Sequence, residues 1–280
     1  MGNVFRLFFF YLNAISADIV IAACCLFLTI NTLLSIESKM ELMVLLVFGT
    51  FIVYWFDHYI DIQIYGKNTS PRHFFFSEYQ KVFLFISVLF LITGSVICYQ
   101  YLNTDEVIQG LLLGIFMLIY LFLHKKLNKY LLFKKEFLIS LLYGLSVSFQ
   151  GFSVWSYEVL MYFIPLVFTV FYAVNTVATI EKKMDDVLGI VNNQNQAQKV
   201  LVELFNLGFI PLFTILFYLL ANQIIVQVYF LCLLSIQLIH LFLLKKFKRG
   251  TLISFTYRII SEWSFCIPIL VYFIKKGLLN

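Results

Sequence analysis

Apolar stretches, each about as long as a bilayer crossing and parted by short polar segments, follow one another along the whole chain. A helix needs roughly 20 residues to cross the hydrocarbon core. On that measure the pattern predicts nine transmembrane helices, over 8–33, 41–60, 79–101, 106–124, 135–154, 158–180, 201–220, 223–243 and 252–274. Connections such as Asn103-Thr104-Asp105 and Ala221-Asn222-Gln223 leave room only for antiparallel neighbours. No Pro/Gly/Ser-rich linker interrupts the run, so residues 1–280 read as one all-α, integral-membrane domain.

Composition agrees. Hydrophobic residues make up 62% and charged residues 12%, against about half and a quarter in soluble domains. A water-soluble fold of this size has no means of hiding so much apolar surface. The five cysteines (Cys24, Cys25, Cys98, Cys232 and Cys266) lie in apolar runs without metal-ligand spacing, and are expected as reduced thiols. Asn13 and Asp18 interrupt the first apolar run, which continues to Leu34. A retained first helix is expected there rather than a cleaved signal peptide.

Basic residues set the expected orientation, because cytoplasmic loops accumulate Lys and Arg. With the N-terminus inside, one face receives 17 of the 20 basic residues and the other keeps Lys39, Lys275 and Lys276. The net charge of +5 is thus a marker of topology and does not point to nucleic acid. An integral protein of a bacterial plasma membrane is expected, with its N-terminus and long polar loops in the cytoplasm.

Two acidic pairs stand out. Asp57 and Asp61 lie four apart at the end of the second span, so one helix face carries both carboxylates. Glu181 and Asp185 repeat the spacing at the end of the sixth, on the same side of the membrane. Like charges at i,i+4 destabilise a helix, and the negative end of the helix dipole adds to the cost. Mg²⁺ would offset both, being a hard cation that binds one or two carboxylates and keeps sites for phosphate oxygens. The bland alternative is a pair of solvated helix ends, the second neutralised locally by Lys182 and Lys183.

At these residues the chain resembles the UbiA superfamily of intramembrane prenyltransferases. That family has nine helices and two Asp-rich motifs at the cytoplasmic ends of helices 2 and 6. Asp57 and Asp61 match the last two acids of its NDxxDxxxD motif, with Val53 and Tyr54 in place of the leading Asn and Asp. Glu181, Asp185 and Gly189 fit the register of its second motif, DxxxD with a Gly four residues on, and Asp186 adjoins them. Arg72 stands where the family carries a basic residue, and Tyr120 with Lys125 and Lys126 resembles the family's fourth helix. Ile190 to Gln194 stand where the family's usual Lys is expected.

The resemblance implies a Mg²⁺-dependent transfer of a prenyl group from an isoprenoid diphosphate to an aromatic or lipid acceptor within the bilayer. Asp57, Asp61, Glu181 and Asp185 would be its catalytic metal ligands. Arg72, Asn175, Lys125, Lys126 and Lys199 would contact substrate, although the positive-inside bias already accounts for the lysines. Two other functions stay open. One is a lipid- or partner-binding member of the fold that has lost the chemistry, motivated by the altered first motif. The other is a small-molecule transporter, for which Pro165, Pro211 and Pro268 give no matched interruption in two halves.

Further polar residues invite structural readings. Asp18, an acid inside an apolar run, either lines a cavity or pairs with a polar neighbour. Arg258 and Glu262 at i,i+4 suit an internal ion pair. His58, His73, His124 and His240 lack ligand spacing.

Overall fold

The computed structural model describes residues 2–65, 71–127, 134–152, 157–187, 209–248 and 254–278. Of residues 2–7, 61, 64–65, 71–73, 123–127, 134–135, 181–187, 247–248, 254–256 and 278 it describes the backbone alone. Regular structure among the described residues is entirely helical. The helices are α1 (Gly2–Ala14), α2 (Ala17–Leu33), α3 (Met40–Tyr65), α4 (Pro71–Tyr101), α5 (Thr104–Leu127) and α6 (Lys134–Val147). They continue with α7 (Phe149–Phe152), α8 (Tyr157–Val187), α9 (Ile210–Leu220), α10 (Ile224–Lys248), α11 (Ser254–Ser264) and α12 (Ile269–Leu278).

Among the described residues, six segments are long and apolar enough to cross a bilayer: Met40–Ile60, Phe74–Tyr101, Thr104–Phe122, Tyr157–Ile180, Ile224–Lys246 and Tyr257–Gly277. A seventh is added if Phe8–Ala14 and Ala17–Leu33, bent by 77°, form one broken span. The chain is an all-helical membrane protein. Glu136–Val147 and Ile210–Leu220 are apolar but shorter. The fifth and seventh predicted spans fall on them, and their flanks at 153–156 and 201–208 lie outside the described residues.

The first predicted span, 8–33, is corrected: it is not one straight helix. Ser16 adopts φ 64°, a left-handed conformation that a side chain disfavours, and the helical ladder stops at this residue. Trp55 Nε1 on α3 donates to the freed carbonyl of Ile15 at 3.2 Å, which fixes the break against its neighbour. At the other end of α2 the N–H groups of Ser35 and Ile36 return to the carbonyls of Thr32 and Asn31. With Ser35 at φ 55°, this is the left-handed stop common at helix C-termini.

Long-range contacts sort the helix termini into two ends. At one, Lys39 pairs with Glu106 at 2.6 Å, which joins the starts of α3 and α5. There Gln150, in α7, accepts from Asn31 at 2.9 Å and donates to the carbonyl of Glu37 at 2.7 Å. Lys275 at the end of α12 reaches Ser35 at 2.9 Å. Tyr229 donates to the carbonyl of Tyr162 at 3.0 Å and so levels the starts of α8 and α10. At the opposite end the His58 ring lies 4.7 Å from that of Phe76, tilted by 44°, and Ile180 of α8 packs with Leu243, Leu244 and Tyr257. The two acid-bearing helices, α3 and α8, therefore finish at the same end of the bundle.

The core is built on α2, whose Ala22 and Ala23 admit close neighbours while Leu26 and Ile30 fill the centre. Leu166 and Val170 of α8, Tyr229, Phe230 and Leu233 of α10, and Val271 of α12 complete it. On α4 and α5, by contrast, large residues such as Phe85, Leu111 and Phe122 are exposed. In a membrane protein that surface meets lipid.

Candidate functional site

The second acidic region of the sequence, at the end of α8, lies where the backbone alone is described. The first is visible in part. Asp57 sits on the last turns of α3 and lines a cleft between α3, α5 and α6. Thr50, Val53 and Tyr54 of α3 extend that wall away from Asp57, at positions seven, four and three residues back along one helix face. Met117 and Tyr120 of α5 form the second wall, and Ile139, Leu142, Tyr143 and Ser146 of α6 the third.

Tyr120 is buried, and its phenol donates to Asp57 Oδ1 at 3.2 Å. A carboxylate held this way keeps a fixed orientation at the mouth of an otherwise apolar and aromatic cleft. The cleft is narrow, at about 60 Å³. Pockets that hold small molecules run to roughly 300–1,000 Å³, so a ligand has to part these walls.

Of the residues expected to act, Asp57 alone has a described side chain in the cleft. Asp61 lies one turn beyond it on α3, and Glu181 and Asp185 (with Asp186) close α8 at the same end; the positions of these side chains lie outside the described residues. The same holds for Arg72 in the first turn of α4 and for Lys125 and Lys126 at the end of α5. Lys199 lies wholly outside them. Among the described residues, no three His, Cys, Asp or Glu side chains gather as a metal site.

Asn175 departs from expectation. It is buried, its Nδ2 donates to the carbonyl of Phe171 at 3.0 Å, and it is not part of the cleft wall. The reason is the helix order: α6 forms the third wall and packs directly against α8, so the cleft ends at α6. Sequence reasoning also missed Tyr54, Tyr143 and Ser146 as cleft residues. Tyr54 follows from Asp57 by i,i+3 spacing, but along α6 polar and apolar residues do not segregate into one stripe, so nothing marks which face turns inward.

Asp18 and Glu262 share one amide. Asn13 Nδ2 donates to Asp18 at 2.8 Å and to Glu262 at 2.6 Å, joining the α1–α2 break to α11. Asp18 is buried and stands at the start of α2, where the helix dipole favours a negative charge. A structural role thus accounts for it. Comparison of the chain with models of known protein families, with curated proteins and with solved structures gives no match.

Proposed function

We propose that the chain is a Mg²⁺-dependent intramembrane prenyltransferase of the UbiA type, acting on an isoprenoid diphosphate at the cytoplasmic ends of α3 and α8. The observation that carries this reading is the setting of Asp57. It is a carboxylate at the mouth of an apolar, Tyr-lined cleft, on a helix that ends at the same side of the bundle as the helix bearing Glu181 and Asp185. The basic excess of that side, with Arg72, Lys125 and Lys126, suits a diphosphate.

The donor set fits the metal in kind, since carboxylate oxygens are the hard ligands Mg²⁺ prefers. Asp57, Asp61, Glu181 and Asp185 would hold it, directly or through water, and the bound metal would offset negative charge building on the diphosphate leaving group. The chain's own residues supply the rest. Tyr120 fixes the Asp57 carboxylate through its phenol. Val53, Met117, Ile139 and Leu142 give the prenyl chain an apolar, water-poor wall. Tyr54 and Tyr143 offer ring faces of the kind that attract a cation.

The test is transfer of labelled prenyl groups from allylic diphosphates to a panel of aromatic and lipid acceptors, by purified protein with Mg²⁺. Asp57→Asn is expected to lower the rate at least about 100-fold, near 2.7 kcal/mol of barrier, while leaving thermal unfolding within a few degrees. Full activity in this variant overturns the reading. Tyr120→Phe is expected to cost less, on the order of tenfold, because the carboxylate remains and only its orienting bond goes.

A second reading has an observation of its own. The cleft is small and Tyr120 already engages Asp57, which suits a scaffold that holds an isoprenoid lipid without transferring it. Binding that survives EDTA, with no turnover by the intact protein over hours, would favour this reading over the first.

A further inference from the structure

A second cleft, far larger than the first at about 520 Å³, opens between α1 and α4. Phe10 and Tyr11 come from α1, and Phe74, Phe75, Glu78 and Tyr79 from the first turns of α4. Two backbone features create it. The 77° bend turns α1 off the axis of α2, and Tyr79, at φ −105° and ψ 15°, kinks α4 one turn above Phe75. The rings face different ways: Tyr11 meets Phe75 edge-on at 6.1 Å, and Phe75 meets Tyr79 at 4.9 Å with a 45° tilt. Tyr11, Phe74 and Tyr79 are each about half exposed.

Among the described residues Glu78 supplies the only charge in this wall, and it makes no hydrogen bond or ion pair with them. Lys81, one turn further along α4, is exposed and also without a partner among the described residues. Aromatic faces carry negative potential, and several of them around a carboxylate select a cation, above all a weakly hydrated ammonium. The cleft opens at a bundle end, where exposed Tyr and charged side chains mark the level of lipid head groups.

We propose that this cleft binds the ammonium head group of a zwitterionic phospholipid from the adjoining leaflet. The ammonium lies among the Tyr11, Phe75 and Tyr79 rings against Glu78, and Lys81 takes the phosphate. The geometry matches a zwitterion in charge order, negative side chain toward the amine and positive side chain toward the phosphate. This site is separate from the Asp57 cleft and does not depend on the transferase reading.

The experiment is native mass spectrometry of the full chain, released from detergent with equimolar phosphatidylcholine, phosphatidylethanolamine and phosphatidylglycerol. Choline and ethanolamine lipids are expected to outnumber the glycerol lipid as adducts at least fivefold. Glu78→Gln is expected to abolish that preference with unfolding unchanged, because Glu78 is exposed and makes no bond among the described residues; Tyr11→Leu combined with Tyr79→Leu is expected to act in the same direction. Equal retention of the three lipids, or an undiminished preference in Glu78→Gln, overturns the proposal. So does binding of free phosphocholine as tight as that of the lipid, which would make the site one for a soluble ammonium.

Discussion

Asn13 is the residue that two carboxylates share. Its amide gives one hydrogen to Asp18 and one to Glu262, and hydrogen bonds to charged acceptors are the stronger kind. Asn13→Leu removes both and leaves Asp18, buried, with only the Ile19 N–H as a described donor. The expected loss is about 2–3 kcal/mol, read as a lower unfolding temperature in detergent, with Asn13→Gln recovering part of it. Asn13 and Asp18 were visible in the sequence as interruptions of an apolar run. Glu262 was not visible as their partner, because nothing in a single sequence links positions 249 residues apart. The same blindness hid Gln237, whose Nε2 donates at 2.8 Å to both Thr169 and Thr214 and so joins α10 to α8 and α9. Such bonds between membrane helices are worth on the order of 0.6 kcal/mol each, so Gln237 contributes register more than stability.

Between helices, small residues decide how close the axes come. A Cβ on Gly144 of α6 would lie 2.6 Å from Val167 Cγ2 and 3.1 Å from Phe163 Cε2, both on α8. Gly144→Ala therefore has to push the helices apart, and is expected to destabilise by about 1–3 kcal/mol. Gly114 of α5 is the control, since a Cβ there meets nothing within 4 Å. Gly114→Ala is expected to leave stability unchanged or raise it by about 0.5–1 kcal/mol. Paired melting curves of the two variants check the contrast. A helix start can be written locally in the chain, whereas a helix contact cannot. Asn103 and Glu106 open α5 reciprocally, with Glu106 N–H to Asn103 Oδ1 at 2.9 Å and Asn103 N–H to Glu106 Oε2 at 3.1 Å. That is a capping box with Asn as its first member. The break at Ser16 was illegible for the opposite reason: Ile15, Ser16 and Ala17 include neither Gly nor Pro, and the left-handed residue is held there by tertiary contacts.

For the whole molecule, the two-ended arrangement makes a topological prediction. In a variant whose native cysteines are replaced, Asn222→Cys and Lys246→Cys are expected to react with a membrane-impermeant thiol reagent from opposite sides. Labelling of both from one side would undo the assignment of α10 as a single crossing. Membrane residence and an all-helical fold could be seen in the sequence, because run length and charge depletion are properties of composition and need no contacts. The candidate site was legible only as far as Asp57 and Tyr120, which recur along helices in readable register. Its third wall, on α6, depends on helix order in space, which a chain of nearly uniform hydrophobicity does not encode locally.

The sharp turn between α1 and α2 also bears on the surrounding bilayer. With α1 turned 77° from α2, a first crossing made by α2 alone has 17 residues, or about 26 Å of helix. A typical hydrocarbon layer is about 30 Å thick. Acyl chains beside α2 must compress to meet it, at a cost of fractions of a kcal/mol per ångström of mismatch. Reconstituted protein is thus expected to resist thermal unfolding better in lipids with 14-carbon chains than in lipids with 22-carbon chains, and a flat response across that series would show that α1 straightens to share the crossing.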